Sequence, residues 1–138
     1  MRLEPTEEEI TEAICQFLEL FAGAQLNRIA PGGFFRGGVM KKHKSRFVKK
    51  GVSDIQFVFQ GMFYAFEVKT PTEYAFAMKH YHNIYSSPYE VLSAKKRHLK
   101  DQIEYLEGIR RNGFVGEFVN SVSMVKEILT TRGKRNKR

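Results

Sequence analysis

The sequence predicts an α/β domain in which a mixed β-sheet is flanked by helices, with elements in the order α-β-β-β-α-β-α. Three observations carry this. Residues 53–59 and 62–70 are rich in aromatic and β-branched side chains and meet at Gln60-Gly61, the signature of a β-hairpin. Apolar residues recur at helical spacing over residues 10–21 and again over 92–109. The second of these stretches is followed by a strand-like run, Phe114–Asn120, and then by a last amphipathic segment.

The first helix opens at Thr6, an N-cap with Glu9 three residues on, the pattern of a capping box. Ile10, Ala13, Ile14, Phe17, Leu18 and Phe21 form its apolar stripe, and Gly23 stops it. Ala24–Ile29 is expected as a short strand, and Pro31-Gly32-Gly33 with Gly37-Gly38 as a flexible loop. A basic segment, 41–50, leads into the hairpin, which ends at Thr70-Pro71. Residues 71–91, with four tyrosines, His80, His82 and Ser86-Ser87-Pro88, read as irregular or short helical structure. The second long helix runs from about Leu92 to Asn112 on a stripe of Leu92, Leu99, Ile103, Leu106 and Ile109, and Gly113 caps it. Ser121 or Ser123 starts the last helix through Val125, Ile128 and Leu129. With 138 residues and no linker, the chain is expected to be one domain over residues 1–130, followed by a flexible basic tail at 131–138.

The hairpin carries the chemistry. About a symmetric Gln60-Gly61 turn, Phe59 faces Met62 and Asp54 faces Glu67, while Lys69 shares the face of Glu67. Ile55, Phe57, Phe59, Tyr64, Phe66 and Val68 form the opposite, core-facing side. Opposed like charges destabilise a sheet. Two carboxylates placed this way suit a positive ligand, with a divalent metal ion the leading candidate.

Charge points to the partner. The net charge of +8 divides unevenly: residues 1–24 hold Arg2 against six glutamates, and the rest of the chain carries +13. The positive residues cluster in Lys41, Lys42, Lys44, Arg46, Lys49 and Lys50, in Lys95, Lys96, Arg97 and Lys100, and in the C-terminal tail. Such clusters suit a polyanion, of which nucleic acid is the commonest in a cell, although a solvated surface is the alternative, above all for the tail. Cys15 is the single cysteine and sits among apolar helix positions, which excludes an internal disulfide and a thiolate metal site. No stretch approaches the roughly 18 apolar residues that span a membrane, and the acidic N-terminus lacks the order of a signal peptide. An intracellular protein, cytoplasmic or nucleoid-associated, is the expectation.

Gly51-Val52-Ser53-Asp54-Ile55, then Glu67-Val68-Lys69-Thr70, Gln102 with Tyr105-Leu106, and Asn112-Gly113 before a strand resemble the VRR-NUC branch of the PD-(D/E)XK nucleases. Arg28 with Gly32-Gly33-Phe34-Phe35, and Ser121-Val122 at the last helix, extend the resemblance over nearly the whole chain apart from 71–91 and the tail. The resemblance implies a restriction-endonuclease-like core and a Mg²⁺- or Mn²⁺-dependent phosphodiesterase acting on DNA. Asp54, Glu67 and the backbone carbonyl of Val68 would be metal ligands, Lys69 would activate water or stabilise charge at the phosphate, and Gln102 would sit beside the site. Hard oxygen donors suit these ions. Glu7 is in phase with Ile10, Ile14 and Phe17 and occupies the family's glutamate position, as an active-site residue and further metal ligand; helix N-terminal charge is the alternative. Arg28 joins the basic clusters as an expected DNA contact.

The gap between Lys69 and Gln102 is longer than in small members of the family. Tyr74, Tyr81, Tyr85 and Tyr89, with Lys79, His80 and His82, would stack on distorted DNA, form a dimer contact or cover the sheet. His80 and His82 have strand-ligand spacing without a third partner for zinc. The expected activity is a structure-selective rather than sequence-specific DNA endonuclease acting as a homodimer, since phosphate contacts position a protein without specifying sequence. A dimeric Holliday-junction resolvase is the nearest alternative, and a non-catalytic DNA-binding module keeping the same fold is the alternative from another class.

Overall fold

The computed structural model describes residues 4–22, 33–36, 39–42 and 54–135. Helix α1 (Glu7–Ala22) precedes a small antiparallel pair, β1 (Gly33–Arg36) and β2 (Val39–Lys42). The hairpin β3 (Ile55–Phe59) and β4 (Met62–Val68) follows, then α2 (Pro71–Ser86), a single 3₁₀ turn at Tyr89–Val91, α3 (Ala94–Arg111), β5 (Val115–Val119) and α4 (Val122–Arg135).

The main sheet has the order β3-β4-β5, with β4 antiparallel to β3 and parallel to β5. The hairpin register is the symmetric one: Ile55 pairs with Phe66, Phe57 with Tyr64 and Phe59 with Met62. Gln60 and Gly61 both take positive φ, 51° and 78°, the backbone of a two-residue turn whose twist matches the strands. Gln60 does so despite its Cβ. The strands thus pair by their hydrophobic pattern, and slipping by one residue would turn the apolar side outward.

The sheet is covered on both faces. On one, Ile55, Phe57, Phe59, Tyr64, Phe66 and Val68 pack with Ile10, Ile14, Cys15 and Leu18 of α1 and with Val125 and Leu129 of α4. Phe57 stacks on Tyr64 at 4.9 Å between ring centres. On the other, Ala65 and Phe118 pack against Ala77 and Ile84 of α2 and Leu99, Ile103 and Leu106 of α3. β4 is therefore buried from Tyr64 to Val68, as a central strand must be. Helix α3 crosses β5 so closely at Gly116 that a Cβ there would stand 2.8 Å from the Leu106 carbonyl oxygen. Arg110 donates from Nε to the Gly116 carbonyl at 2.7 Å and pairs with Glu107 and Glu117 at 2.9 and 3.2 Å, and its guanidinium also bonds the Tyr81 hydroxyl. These contacts join α2, α3 and the edge strand β5. Partial burial and the bond to Glu107 push the Tyr81 hydroxyl well above the usual tyrosine range.

Several expectations change. The stretch expected as a flexible glycine loop contains β1, and β2 follows it into the start of the basic segment, so Lys41 and Lys42 lie on a strand, and β2 runs beside α1. The expected strand Ala24–Ile29 lies outside the described residues. Residues 71–86, expected as irregular or short helical structure, form a full helix of 16 residues. Thr70 accepts from Glu73 N–H at 3.2 Å, Glu73 accepts from Thr70 N–H at 3.0 Å, and Pro71 fills the first helical position. The tail expected to start at residue 131 is helical through Arg135. The observed order is accordingly α-β-β-β-β-α-α-β-α among the described residues. On α1, Ala13 is exposed and Phe21 is 45% exposed, so its buried stripe is narrower than its apolar pattern.

Candidate functional site

The topology sends several polar side chains to one end of the sheet. The C-terminal end of β4 lies beside that of its parallel neighbour β5 and beside the start of antiparallel β3. Helices α2 and α4 begin there, directly after β4 and β5, as in the ligand crevice at the carboxyl end of parallel strands. Asp54, Glu67 and Lys69 occupy this end because of their position in the hairpin.

Glu67 lies on the α2–α3 face, 4% exposed. Gln102, 6% exposed on α3, donates from Nε2 to Glu67 Oε1 at 2.7 Å. A carboxyl group buried this deeply demands a hydrogen-bond partner. Asp54, one residue before β3, accepts the Val68 N–H through Oδ2 at 2.9 Å, which pins its carboxylate to the β4 backbone next to Glu67. Lys69 continues the β4–β5 ladder, its N–H donating to Val119 at 2.9 Å, and its Nζ stands 5.8 Å from the Phe118 ring centre. Gln56, buried on the same face, donates to the Tyr105 hydroxyl.

Glu7 enters from α1. The Thr6–Glu9 capping box starts that helix, with bonds of 3.0 and 3.2 Å. Glu4 accepts from the Thr72 hydroxyl at 2.9 Å, joining the chain before α1 to the start of α2. Glu7 thereby meets Glu73. Burial, the hydrogen bond to Glu73 and the Glu73 charge push the Glu7 carboxyl up to about 7; Asp54 adds to the rise, and Lys69 opposes it. Burial acts in the same direction on Glu73. Its bonds with Glu7 and with the Thr70 backbone and hydroxyl outweigh that and hold it below the usual carboxylate value. Glu7 is thus the proton-bearing member of a carboxyl–carboxylate pair.

Asp54, Glu67, Val68, Lys69, Gln102 and Glu7 are thus gathered at or beside one sheet end. Glu73 and His98, whose Nε2 stands 3.4 Å from Gln102 Nε2, join them without having been expected. Thr70-Pro71-Thr72-Glu73 is itself a capping box, and that signal could have exposed Glu73. His98 had only its spacing, four residues before Gln102.

The expected DNA contacts divide. Arg28, Lys44, Arg46, Lys49 and Lys50 lie outside the described residues, and the side chains of Lys41 and Lys42 are not described. Lys95 is exposed, with Nζ 4.3 Å over the Phe76 ring, and Lys96 is half-buried. Arg97 donates to the carbonyls of Tyr89 and Glu90 at 2.9 and 3.0 Å, so it fastens the 3₁₀ turn. Lys100 is buried, its Nζ donating to the Tyr85 carbonyl at 2.7 Å near the C-terminal end of α2. Tyr81 and Tyr85 pack between α2 and the rest of that layer. His80 and His82 lie on a helix rather than a strand, which removes the spacing argument for zinc.

The oxygen donors fit a hard divalent ion by type. Asp54 and Glu67 with the Val68 carbonyl would hold it, and Gln102 Oε1 is a buried acceptor beside them with no hydrogen-bond partner among the described residues. Among the described residues no three Asp, Glu, His or Cys side chains group closely enough to hold a metal by themselves. The main-chain carbonyl would therefore be needed. No helix among the described residues is long and apolar enough to cross a membrane. Compared with protein-family models, curated proteins and solved structures, the chain matches none.

Proposed function

We propose that this chain is a Mg²⁺- or Mn²⁺-dependent DNA endonuclease with a restriction-endonuclease-like core, selective for DNA structure and working as a homodimer. One observation carries the reading: Gln102 of α3 donates to the buried Glu67 of β4 at 2.7 Å, beside Asp54 bonded to the Val68 backbone. Residues far apart in sequence meet at one end of the sheet with a lysine next to them. A protein that needed only a stable core would gain nothing from a buried carboxylate.

In this reading Asp54, Glu67 and the Val68 carbonyl hold the metal, which when bound supplies an activated water and neutralises developing charge. Lys69 stands on the same face as Glu67 and stabilises charge on the phosphate or orients the attacking water. Gln102 holds the Glu67 carboxylate in one orientation. Glu7, carrying a proton in its pair with Glu73, limits the negative charge crowded near Lys69. Exposed Lys95, with the basic segment 41–50, draws in the DNA backbone.

The test offers linear duplex, nicked, flap and four-way-junction DNA with Mg²⁺, Mn²⁺ or a chelator. Cleavage requires the metal and falls on the order of 10²-fold or more in Lys69→Ala, the scale expected for a group stabilising transition-state charge. Preference for the junction makes the chain a Holliday-junction resolvase. Equal cutting of every substrate removes structure selectivity, and undiminished cutting by Lys69→Ala overturns the mechanism. Binding of DNA without any cleavage would leave a non-catalytic DNA-binding module.

A further inference from the structure

We infer that His98 is a positioning residue: its neutral ring, bare at Nε2, accepts the second N–H of Gln102 and holds that amide against Glu67. Glu67 is buried on the sheet face, and its Oε1 accepts a hydrogen bond from the Gln102 side chain. The end of the Gln102 side chain 2.7 Å from Glu67 Oε1 is therefore the NH₂ group. That nitrogen has two hydrogens and no lone pair to offer. His98 Nε2, 3.4 Å from the same nitrogen, consequently faces it with a lone pair, which places the ring proton on Nδ1.

His98 lies one helical turn before Gln102 on α3 and is itself exposed. Its contact with Gln102 links the solvent to the buried carboxylate in two hydrogen bonds. A glutamine amide can rotate by half a turn and exchange its oxygen and nitrogen at little cost. Turned that way, Gln102 would set an oxygen against Glu67 Oε1. The Glu67 acceptor sets the amide orientation, and His98 Nε2 takes up the N–H that remains.

The effect on catalysis rests on the nuclease reading above, whereas the arrangement itself does not. The experiment therefore starts on the metal-free protein, with nitrogen-15 NMR of the His98 ring and proton exchange of the Gln102 side-chain amide. The expected result is the Nδ1–H tautomer and a Gln102 amide whose exchange is slowed. His98→Leu should speed that exchange several-fold, and His98→Gln, which keeps an acceptor, should restore it. In the cleavage assay His98→Leu should lower kcat about three- to tenfold with KM little changed, the scale of one neutral hydrogen bond, and His98→Gln should recover most of it. An Nε2–H tautomer, or Gln102 exchange unchanged in His98→Leu, overturns the inference whether or not the protein cuts DNA. If the NMR results are as expected and no DNA is cut, the positioning role stands and the nuclease reading alone has failed.

Discussion

The contact between Glu67 and Gln102 makes a demand on stability that can be measured without any substrate. Both side chains are more than nine-tenths buried, and they meet at 2.7 Å. A hydrogen bond to a charged group contributes about 1.5–3 kcal/mol, and leaving its buried partner without that donor costs on the same scale. Gln102→Met preserves the length and most of the volume of the side chain while removing the amide. It should lower the unfolding free energy by about 2–3 kcal/mol at neutral pH. Glu67→Gln and the double variant complete a thermodynamic cycle, followed by urea unfolding and circular dichroism. The coupling between the two positions should exceed about 1 kcal/mol, as for other contacting polar pairs. A coupling below about 0.5 kcal/mol, the level found for independent sites, would refute Gln102 as a stabilising partner of the buried Glu67.

Four further outcomes follow from the same structure. Gly116→Ala forces a Cβ toward the Leu106 carbonyl oxygen, 2.8 Å away, and should cost about 1–3 kcal/mol, read as a lower thermal midpoint. Thr70→Ala removes the cap of α2 and should cost about 1 kcal/mol in urea. Glu7 has a folded-state pKa of about 7, above its ordinary 4.5, so the native state keeps a proton that the unfolded chain releases. Its contribution is fully present below pH 4.5 and is lost as the pH rises through 7. Because Glu7 is only partly buried, screening limits the change to about 1 kcal/mol. Glu73, held low, works in the opposite sense and loses its contribution in acid. Glu7→Gln should flatten the fall in urea midpoint between pH 5 and pH 8; an unchanged slope would rule out Glu7 as its source. DNA affinity should drop steeply between low and physiological salt through counterion release, and a flat titration would make the lysine clusters mere solvated surface.

Much of the fold was legible because its signals are local. The hairpin register follows from a period of two on either side of Gln60-Gly61, and helices α1 and α3 from apolar residues at helical spacing with recognisable caps. Helix α2 was not legible from periodicity, since its aromatic residues surround the helix and only Ala77 and Ile84 are fully buried. What forms it is the cap at Thr70 and packing against α3. The strands β1 and β2 were hidden by glycines that read as a loop. Gln102 falls beside its helix stripe, so only the resemblance placed it at the site; its burial came from the crossing of α3 over the sheet. Arg97 and Lys100 look identical to phosphate-binding residues in sequence, yet both are committed to main-chain carbonyls.

The sequence by itself determined the hairpin and with it the adjacency of Asp54, Glu67 and Lys69, because strand pairing is set by alternation and turn chemistry within 17 consecutive residues, 53–69. It also set the first helix and the charge imbalance. Gln102 and Glu7 were expected there from the resemblance alone, and only the tertiary structure brings them, with His98 and Glu73, to that hairpin end. Their meeting depends on how α1, α2 and α3 pack across the two faces of the sheet, and contacts between distant segments leave no periodic trace in the chain.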